Sequence, residues 1–488
     1  MASSLLTIFA SSFVLLLSYI LFSITVNYRQ LRQFKGPPLA ALSRFWLFWE
    51  ECSARLPKSQ RAAIQRYGSP ARIGPNLLVT DDPELIRHMN APGSRWTRSA
   101  WYDAMKMDPR KDNVFSTRDE KLHAELKAKE APGYNGRDIA TLESDIDARI
   151  SDLIYLIKNT YNGVSMDFAN VSRFFTLDVL STVAFGRPFG FMAANEDLWG
   201  YNKLNASFML ILGLQANHTS IYNFFTQPWL LALAAPKPTD NAGIGPALAF
   251  AQKAVSERYG PDAKVKKDML GSFIAKGLDQ EQCQVEAFLQ IIAGSDSTTG
   301  VLRAIFFLLA GSPPAYAKLR AEIDKNTPTS GFIPYKDALK LPYLQAVIYE
   351  ALRLYPPLFG LKSKCAPPEG ETVNGTFYPP GTEICICDDA VCRRKDIFGD
   401  DSEVFRPERF LESDEGPRRM RTVEVVFGTG RFQCLGKTIA WMELSKGVFE
   451  LIKTFDFQMT DPMRGIDTYA HNVHIMSNML LVMRPREK

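Results

Sequence analysis

The chain has 488 residues, 46% hydrophobic and 23% charged, with a net charge of +4. That is an ordinary globular balance, which implies a large buried core and gives no electrostatic case for nucleic-acid binding. Seven cysteines, odd in number and irregularly spaced, argue against a disulfide framework and for a reducing compartment.

From Leu5 to Val26 the sequence carries no charge. As a helix this stretch is roughly 33 Å long, enough to cross a bilayer. The start, Met1–Ser4, has no basic side chain, whereas Arg29, Arg32 and Lys35 follow the span. That asymmetry predicts a retained anchor with a lumenal start and a cytosolic body, so that none of the sequons at Asn170, Asn205, Asn217 and Asn374 is glycosylated. Gly36-Pro37-Pro38 ends the helical pattern. The expected organisation is a lumenal terminus 1–4, a transmembrane anchor 5–26, a basic, proline-rich hinge 27–40 and one large domain 41–488. The aromatic group Phe45, Trp46, Phe48 and Trp49 reads equally as membrane interface or as core.

Two short strands are predicted at 71–80, turning near Gly74-Pro75-Asn76, followed by a helix opened by Asp82-Pro83. Residues 91–115 read as loop. A charged helix spans Lys121 to Ala131 and should stop at Pro132-Gly133. An apolar helix covers 174–186. Residues 200–235 are apolar and weakly periodic, which suits a substrate lid, a membrane-touching surface or buried helices. A β candidate lies at 372–387 around Asn374-Gly375, and Cys385, Cys387 and Cys392 cluster but lack the fourth ligand and spacing of a zinc site. A last β candidate lies at 474–484. No repeat, low-complexity segment or linker divides the body.

Gln280 to Gly311 predicts one long helix, capped by Asp279 with Gln282 and stopped by Pro313-Pro314. Its centre holds Gly294, Asp296, Ser297, Thr298 and Gly300 in an apolar stripe. A kink explains the glycines. An acid beside a hydroxyl also suits proton relay in a widened groove, and the stretch alone does not choose. The 341–357 helix carries Glu350 and Arg353 on one face. They read as a surface pair or, given their apolar neighbours, as a buried pair that wants a further donor such as Arg409.

Phe427 to Gly436 reads FGTGRFQCLG. Cys434 precedes an amphipathic helix whose first N–H groups favour a thiolate. Gly428, Gly430 and Gly436 permit close backbone approach to a flat ligand, and Arg431 suits a ligand carboxylate. One soft axial ligand without a histidine cluster suits haem iron. With its phenylalanine, glycines, arginine and cysteine, this loop resembles the haem-binding signature of the cytochrome P-450 superfamily. The AGSDS stretch resembles that family's oxygen-activating helix, and Glu350, Arg353 and Arg409 resemble its Glu-Arg-Arg frame. GPPLAALSRFWLF and RIGPNLLVTDDPE resemble a fungal biosynthetic branch that includes pisatin demethylase-like enzymes.

The resemblance implies a mainly α fold with small β-sheets, the cytochrome P-450 fold, preceded by one transmembrane helix. It implies haem b on Cys434, with Phe427, Gly428 and Gly436 shaping the loop. Arg431, His123, Lys127 and Lys364 would meet propionates, although Lys127 and Lys364 stand where the family often has arginine, which alone offers a bidentate fork. Asp296 and Ser297 would deliver protons, with Thr298 as a neighbouring hydroxyl; most members carry threonine where Ser297 stands. Electrons would come from NADPH through a separate cytochrome P-450 reductase, with cytochrome b5 as an optional donor and Lys121, Lys129 and Lys437 guiding the docking. The implied enzyme is a membrane-anchored monooxygenase of the endoplasmic reticulum, acting on a lipophilic small molecule of secondary metabolism. Expected pocket walls are 95–115, 205–235, Leu289–Ser297, Leu358–Leu361 and His471–Ile475. Two rival readings are a haem-thiolate isomerase or dehydratase that needs no O2, and a non-catalytic haem or lipid binder.

Overall fold

The computed structural model describes residues 25–487 apart from Met107, Asp262 and Val265, together with Ser11 and Ser18. The expected anchor therefore lies almost wholly outside the described residues. Helices dominate. The longer ones are α1 (Leu56–Tyr67), α2 (Glu120–Tyr134), α3 (Leu142–Thr160), α4 (Phe168–Phe185), α5 (Tyr201–Asn217), α6 (Gly245–Ser256), α7 (Gln280–Ala310), α8 (Pro313–Lys325), α9 (Pro342–Leu354) and α10 (Lys437–Thr454).

The strands are short: β1 (Ala71–Gly74), β2 (Leu77–Thr80), β3 (Thr97–Arg98), β4 (Ser165–Asp167), β5 (Lys364–Cys365), β6 (Glu371–Val373), β7 (Thr376–Tyr378), β8 (Glu383–Ile386), β9 (Phe455–Met459), β10 (Asp467–His471), β11 (Val473–Ser477) and β12 (Leu480–Pro485). They form a five-stranded sheet ordered β1-β2-β8-β5-β3, a three-stranded sheet ordered β4-β12-β9, and the hairpins β6-β7 and β10-β11. Asn374 and Gly375 make the β6-β7 turn with φ of 50° and 78°, the left-handed pair that a two-residue hairpin requires.

The axis of the core is α7. Asp279 caps it by accepting from the Gln282 N–H at 2.7 Å, and the next helix begins at Pro313. Among the described residues α7 is the one helix long and apolar enough to cross a membrane, but most of that surface is buried inside the protein. It is a core helix. Gly294 explains how it packs against α4: a Cβ there would sit 2.9 Å from Leu180 Cδ1, so the glycine serves helix contact. No break interrupts the helix at either glycine.

One boundary differs from expectation. Pro132-Gly133 was expected to end the charged helix, yet α2 runs on to Tyr134 with Pro132 inside it. Gly133 lies against the helix Met269–Ala275, where a Cβ would meet Phe273 at 3.1 Å and Ser272 at 3.4 Å. That packing holds the last turn in place despite the hydrogen bond proline removes. Residues 200–235 form α5 and the shorter helices Thr219–Phe225 and Pro228–Ala234.

Candidate functional site

The Cys434 loop folds on itself. The Cys434 N–H donates to Phe427 O at 2.7 Å and the Gly428 N–H to Val425 O at 2.8 Å. Gly428 has φ +71° and Gly430 φ +56°, values that favour glycine. A Cβ on Gly428 would meet Phe432 O at 2.6 Å, and one on Gly430 would collide with Asn90 O. These two glycines therefore let the loop close against neighbouring protein backbone. Only Gly436 lies beside the sulfur, at 3.9 Å from an added Cβ. Phe427 packs edge-on against Trp441 of α10 at 5.8 Å.

Cys434 is exposed by surface area, yet burial lifts its thiol pKa. That combination describes a sulfur opening onto an internal hollow. The N–H groups of Gly436 and Lys437 and the charges of Lys127 and Lys437 pull the other way. The helix field expected from the sequence is present, but desolvation outweighs it. A bound cation would tip the balance to thiolate.

Across the hollow, Ala293 is exposed and Ser297 half-buried in the middle of a helix that is otherwise largely buried. The Ser297 hydroxyl donates to Ala293 O at 2.9 Å, and the two residues share one helix face. Leu435 of the cysteine loop packs with Leu126 of α2 and Leu289 of α7, which fixes the distance between the two walls. Thr298, next round the helix, is buried.

Asp296 turns away from Ser297. Its carboxylate pairs with Arg173 of α4 at 2.7 Å, both groups almost fully buried. Arg173 also lines a surface cleft of about 330 Å³, with Asn202, Lys203 and Arg303. Acid and hydroxyl thus lie on two sides of α7. Arg173 was missed, although a lone arginine inside the apolar run 168–185 was a readable signal.

Beside the cysteine loop stands a crowd of cations. Burial first, then the charges of Arg98, Lys127, Lys364 and Arg431, push the His123 imidazole down to about 3. Lys364 is 1% exposed, its ammonium has no hydrogen-bond partner, and it sits 3.2 Å over the Phe432 ring. Burial first, then Arg98, drives its pKa well below the usual lysine range. Arg431 donates to Trp96 O at 2.6 Å and faces Glu120 at 3.5 Å. Lys127 donates to Arg431 O at 2.6 Å, so it braces the loop itself. Arg98 was not foreseen. It donates to Thr117 O at 2.7 Å and stands 4.5 Å over Phe432.

Such a cluster repels itself unless anions enter it. A flat group bearing two carboxylates, with a metal facing Cys434, answers both the cation excess and the hollow. The residues fit haem. Among the described residues no cluster of three or more His, Cys, Asp or Glu offers a rival metal site.

Behind the loop, Glu350, Arg353 and Arg409 meet with no solvent exposure. Arg353 lies 2.7 Å and Arg409 3.1 Å from the Glu350 carboxylate. Arg353 donates to Cys392 O at 3.0 Å and Ser402 O at 2.5 Å, and Arg409 to Phe398 O at 2.5 Å. The triad ties α9 to the irregular segment that leads into the cysteine loop. Of the surface lysines, Lys129 is paired with Glu125 at 2.8 Å and Lys437 with Glu424 at 2.9 Å.

Comparison with known proteins agrees with this arrangement. Residues 76–481 match the cytochrome P450 family. The chain is 40% identical over 487 residues to cytochrome P450 monooxygenase ABA1 of Pyricularia oryzae, covering 96% of this chain and 95% of that one. It is 38% identical over 470 residues to aba1 of Botryotinia fuckeliana, covering 94% and 92%. It is 34% identical over 463 residues to abl1 of Leptosphaeria maculans, covering 91% and 81%.

Proposed function

The chain belongs to the cytochrome P450 family and is a monooxygenase, and from that premise we propose that it holds haem b through the Cys434 thiolate and oxidises a lipophilic small molecule of secondary metabolism. Electrons come from NADPH through a separate cytochrome P-450 reductase, with cytochrome b5 as an optional donor. The body faces the cytosol, held to the endoplasmic reticulum by residues 5–26. The observation that carries the reading is the Cys434 sulfur, open to a hollow under α7 and flanked by cations that lack enough anions of their own.

When bound, haem supplies the activation of dioxygen and its insertion into a C–H bond. The protein does the rest. The N–H groups of Gly436 and Lys437 stabilise negative charge on Cys434. Arg98, Arg431 and Lys364 would orient the carboxylates, with Lys127 holding the loop that carries Arg431. Ser297 presents a hydroxyl to the hollow. Asp296, one residue away, pairs with Arg173, which lines a cleft open to solvent. Asp296 that takes a proton from water in the cleft gives up its pairing with Arg173, and on rotating it would hand that proton to the Ser297 side and return as carboxylate. Trp101, Phe288, Ile292, Leu361, Val473 and Ile475 form one apolar cluster that excludes water beside the α7 face, which favours an apolar substrate.

The test uses the full chain co-expressed with a reductase, supplied with labelled O2 and a lipophilic extract. A product gaining one labelled oxygen, and only with NADPH, is expected. Turnover that proceeds without NADPH or O2 would overturn the reading.

A further inference from the structure

The wall behind the cysteine loop is aromatic, and it leads to the surface. Phe427, whose carbonyl accepts from the Cys434 N–H at 2.7 Å, meets the Trp441 ring at 5.8 Å. Trp441 of α10 meets Tyr349 of α9 at 4.9 Å. The Tyr349 hydroxyl donates to Glu424 Oε1 at 2.9 Å, and Glu424 opens the short 3-10 helix that ends at Phe427. Trp441 is buried, Tyr349 is half-buried, and the Glu424 side chain reaches solvent.

Tyrosine–carboxylate pairs occur elsewhere in the fold. Among the described residues the Tyr316 hydroxyl donates to Asp456 at 3.0 Å and the Tyr343 hydroxyl to Glu408 at 2.9 Å. Tyr316 packs on Phe457, away from the cysteine loop. Of the three tyrosines, Tyr349 is the one joined to that loop by ring contacts.

Indole and phenol rings yield one electron to a strong oxidant, and more readily when a base stands ready for the proton. The Trp441 N–H donates to Gln345 Oε1 at 2.7 Å, and an amide oxygen is too weak a base to take it. The Tyr349 O–H points at a carboxylate, which can. Charge removed at Trp441 therefore settles on Tyr349. Burial first, then Glu424, raises the Tyr349 phenol above its ordinary range, so its proton stays until the electron leaves.

We propose that Trp441 and Tyr349 form an outlet for oxidising charge, draining it from haem on Cys434 when no substrate takes it. The outlet rests on the reading that Cys434 holds haem. In one passage the Tyr349 O–H bond breaks. Its electron moves through Trp441 to the oxidised haem, its proton moves to Glu424, and a neutral tyrosyl radical remains. A soluble thiol returns a hydrogen atom to Tyr349, the thiyl radicals couple to a disulfide, and Glu424 releases its proton to water. The path does not serve the reductase, because indole and phenol rings accept no electron from a reduced flavin.

The test mixes the substrate-free, full-length holoenzyme with a peracid, freezes it, and records the radical by electron paramagnetic resonance. Ring-deuterated tyrosine should narrow the signal, and a spin trap followed by mass spectrometry should mark Tyr349. Tyr349→Phe keeps the ring packing and should lose most of the tyrosyl signal, and Glu424→Gln should lower it. Tyr343→Phe and Tyr316→Phe should leave it unchanged. With reductase, NADPH and no substrate, the haem of Tyr349→Phe should bleach faster than that of the wild type. A signal undiminished in Tyr349→Phe, trap adducts on Tyr343 or Tyr316 in place of Tyr349, or equal bleaching would overturn the proposal. A chain without the thiolate–haem band under carbon monoxide would sink the haem reading and the outlet together. A chain with that band and no radical at Tyr349 would sink the outlet alone.

Discussion

Lys364 and Arg173 are both cations inside the protein, and they differ in what answers them. Arg173 has Asp296 at 2.7 Å; Lys364 has an aromatic face and like charges. Opposite outcomes follow. Lys364→Met should stabilise the haem-free chain and speed haem loss roughly tenfold or more, the worth of a charge-assisted hydrogen bond; transfer of haem to an acceptor protein checks this. Slower or equal loss would remove Lys364 from the carboxylate cluster. Arg173→Met removes the ion-pair partner of a buried carboxylate and should cost about 3–5 kcal/mol. The double variant Arg173→Met with Asp296→Asn should recover most of it, so unfolding of the single and double variants should be strongly non-additive. Additive losses would mean that the two groups do not depend on one another.

At the scale of elements, α7 was readable end to end, because its cap, apolar stripe and terminal prolines are all local signals. So was the cysteine loop, in which Gly428 and Gly430 sit where φ is positive. The partners of each charged residue were not readable, since they come from other elements. Asp296 was read beside Ser297 in sequence, but α4 offers Arg173 and takes it. Arg98 and Lys364 meet through the five-stranded sheet, on β3 and β5, which are two residues long and carry no periodic pattern.

The contact of α2 with α7 hides another pair of this kind. Glu130 and Glu286 are both fully buried. Burial raises Glu286 from 4.5 to about 8, although Gln282 and the Val114 N–H oppose the shift. The native chain then holds a proton that the unfolded chain releases above about pH 4.5, so stability falls as pH rises through this window and the loss is complete above about 8. Glu286→Gln keeps an acceptor for Gln282 and the Val114 N–H. It should flatten the decline of the melting temperature between about pH 4.5 and about 8, measured on the full chain with Glu130, Tyr134 and Cys283 unchanged. A decline as steep as that of the wild type would show that the pair does not share this proton.

The whole molecule combines one helical core, small sheets and two stretches with exposed apolar side chains. Leu39, Phe45 and Trp49 near the start of the body, and Phe224, Trp229 and Leu233 beyond α5, are all exposed. Large exposed apolar side chains of this kind suit a bilayer surface. Deleting residues 1–26 should therefore weaken membrane flotation without abolishing it. Complete release would contradict a second contact surface, and unchanged flotation would contradict the anchor. The central claim is narrower and can be tested directly. The purified, reduced protein under carbon monoxide should show the long-wavelength Soret band of thiolate-ligated haem, and Cys434→Ala should lose it. A wild type without that band, or a Cys434→Ala variant that retains it, would contradict the account.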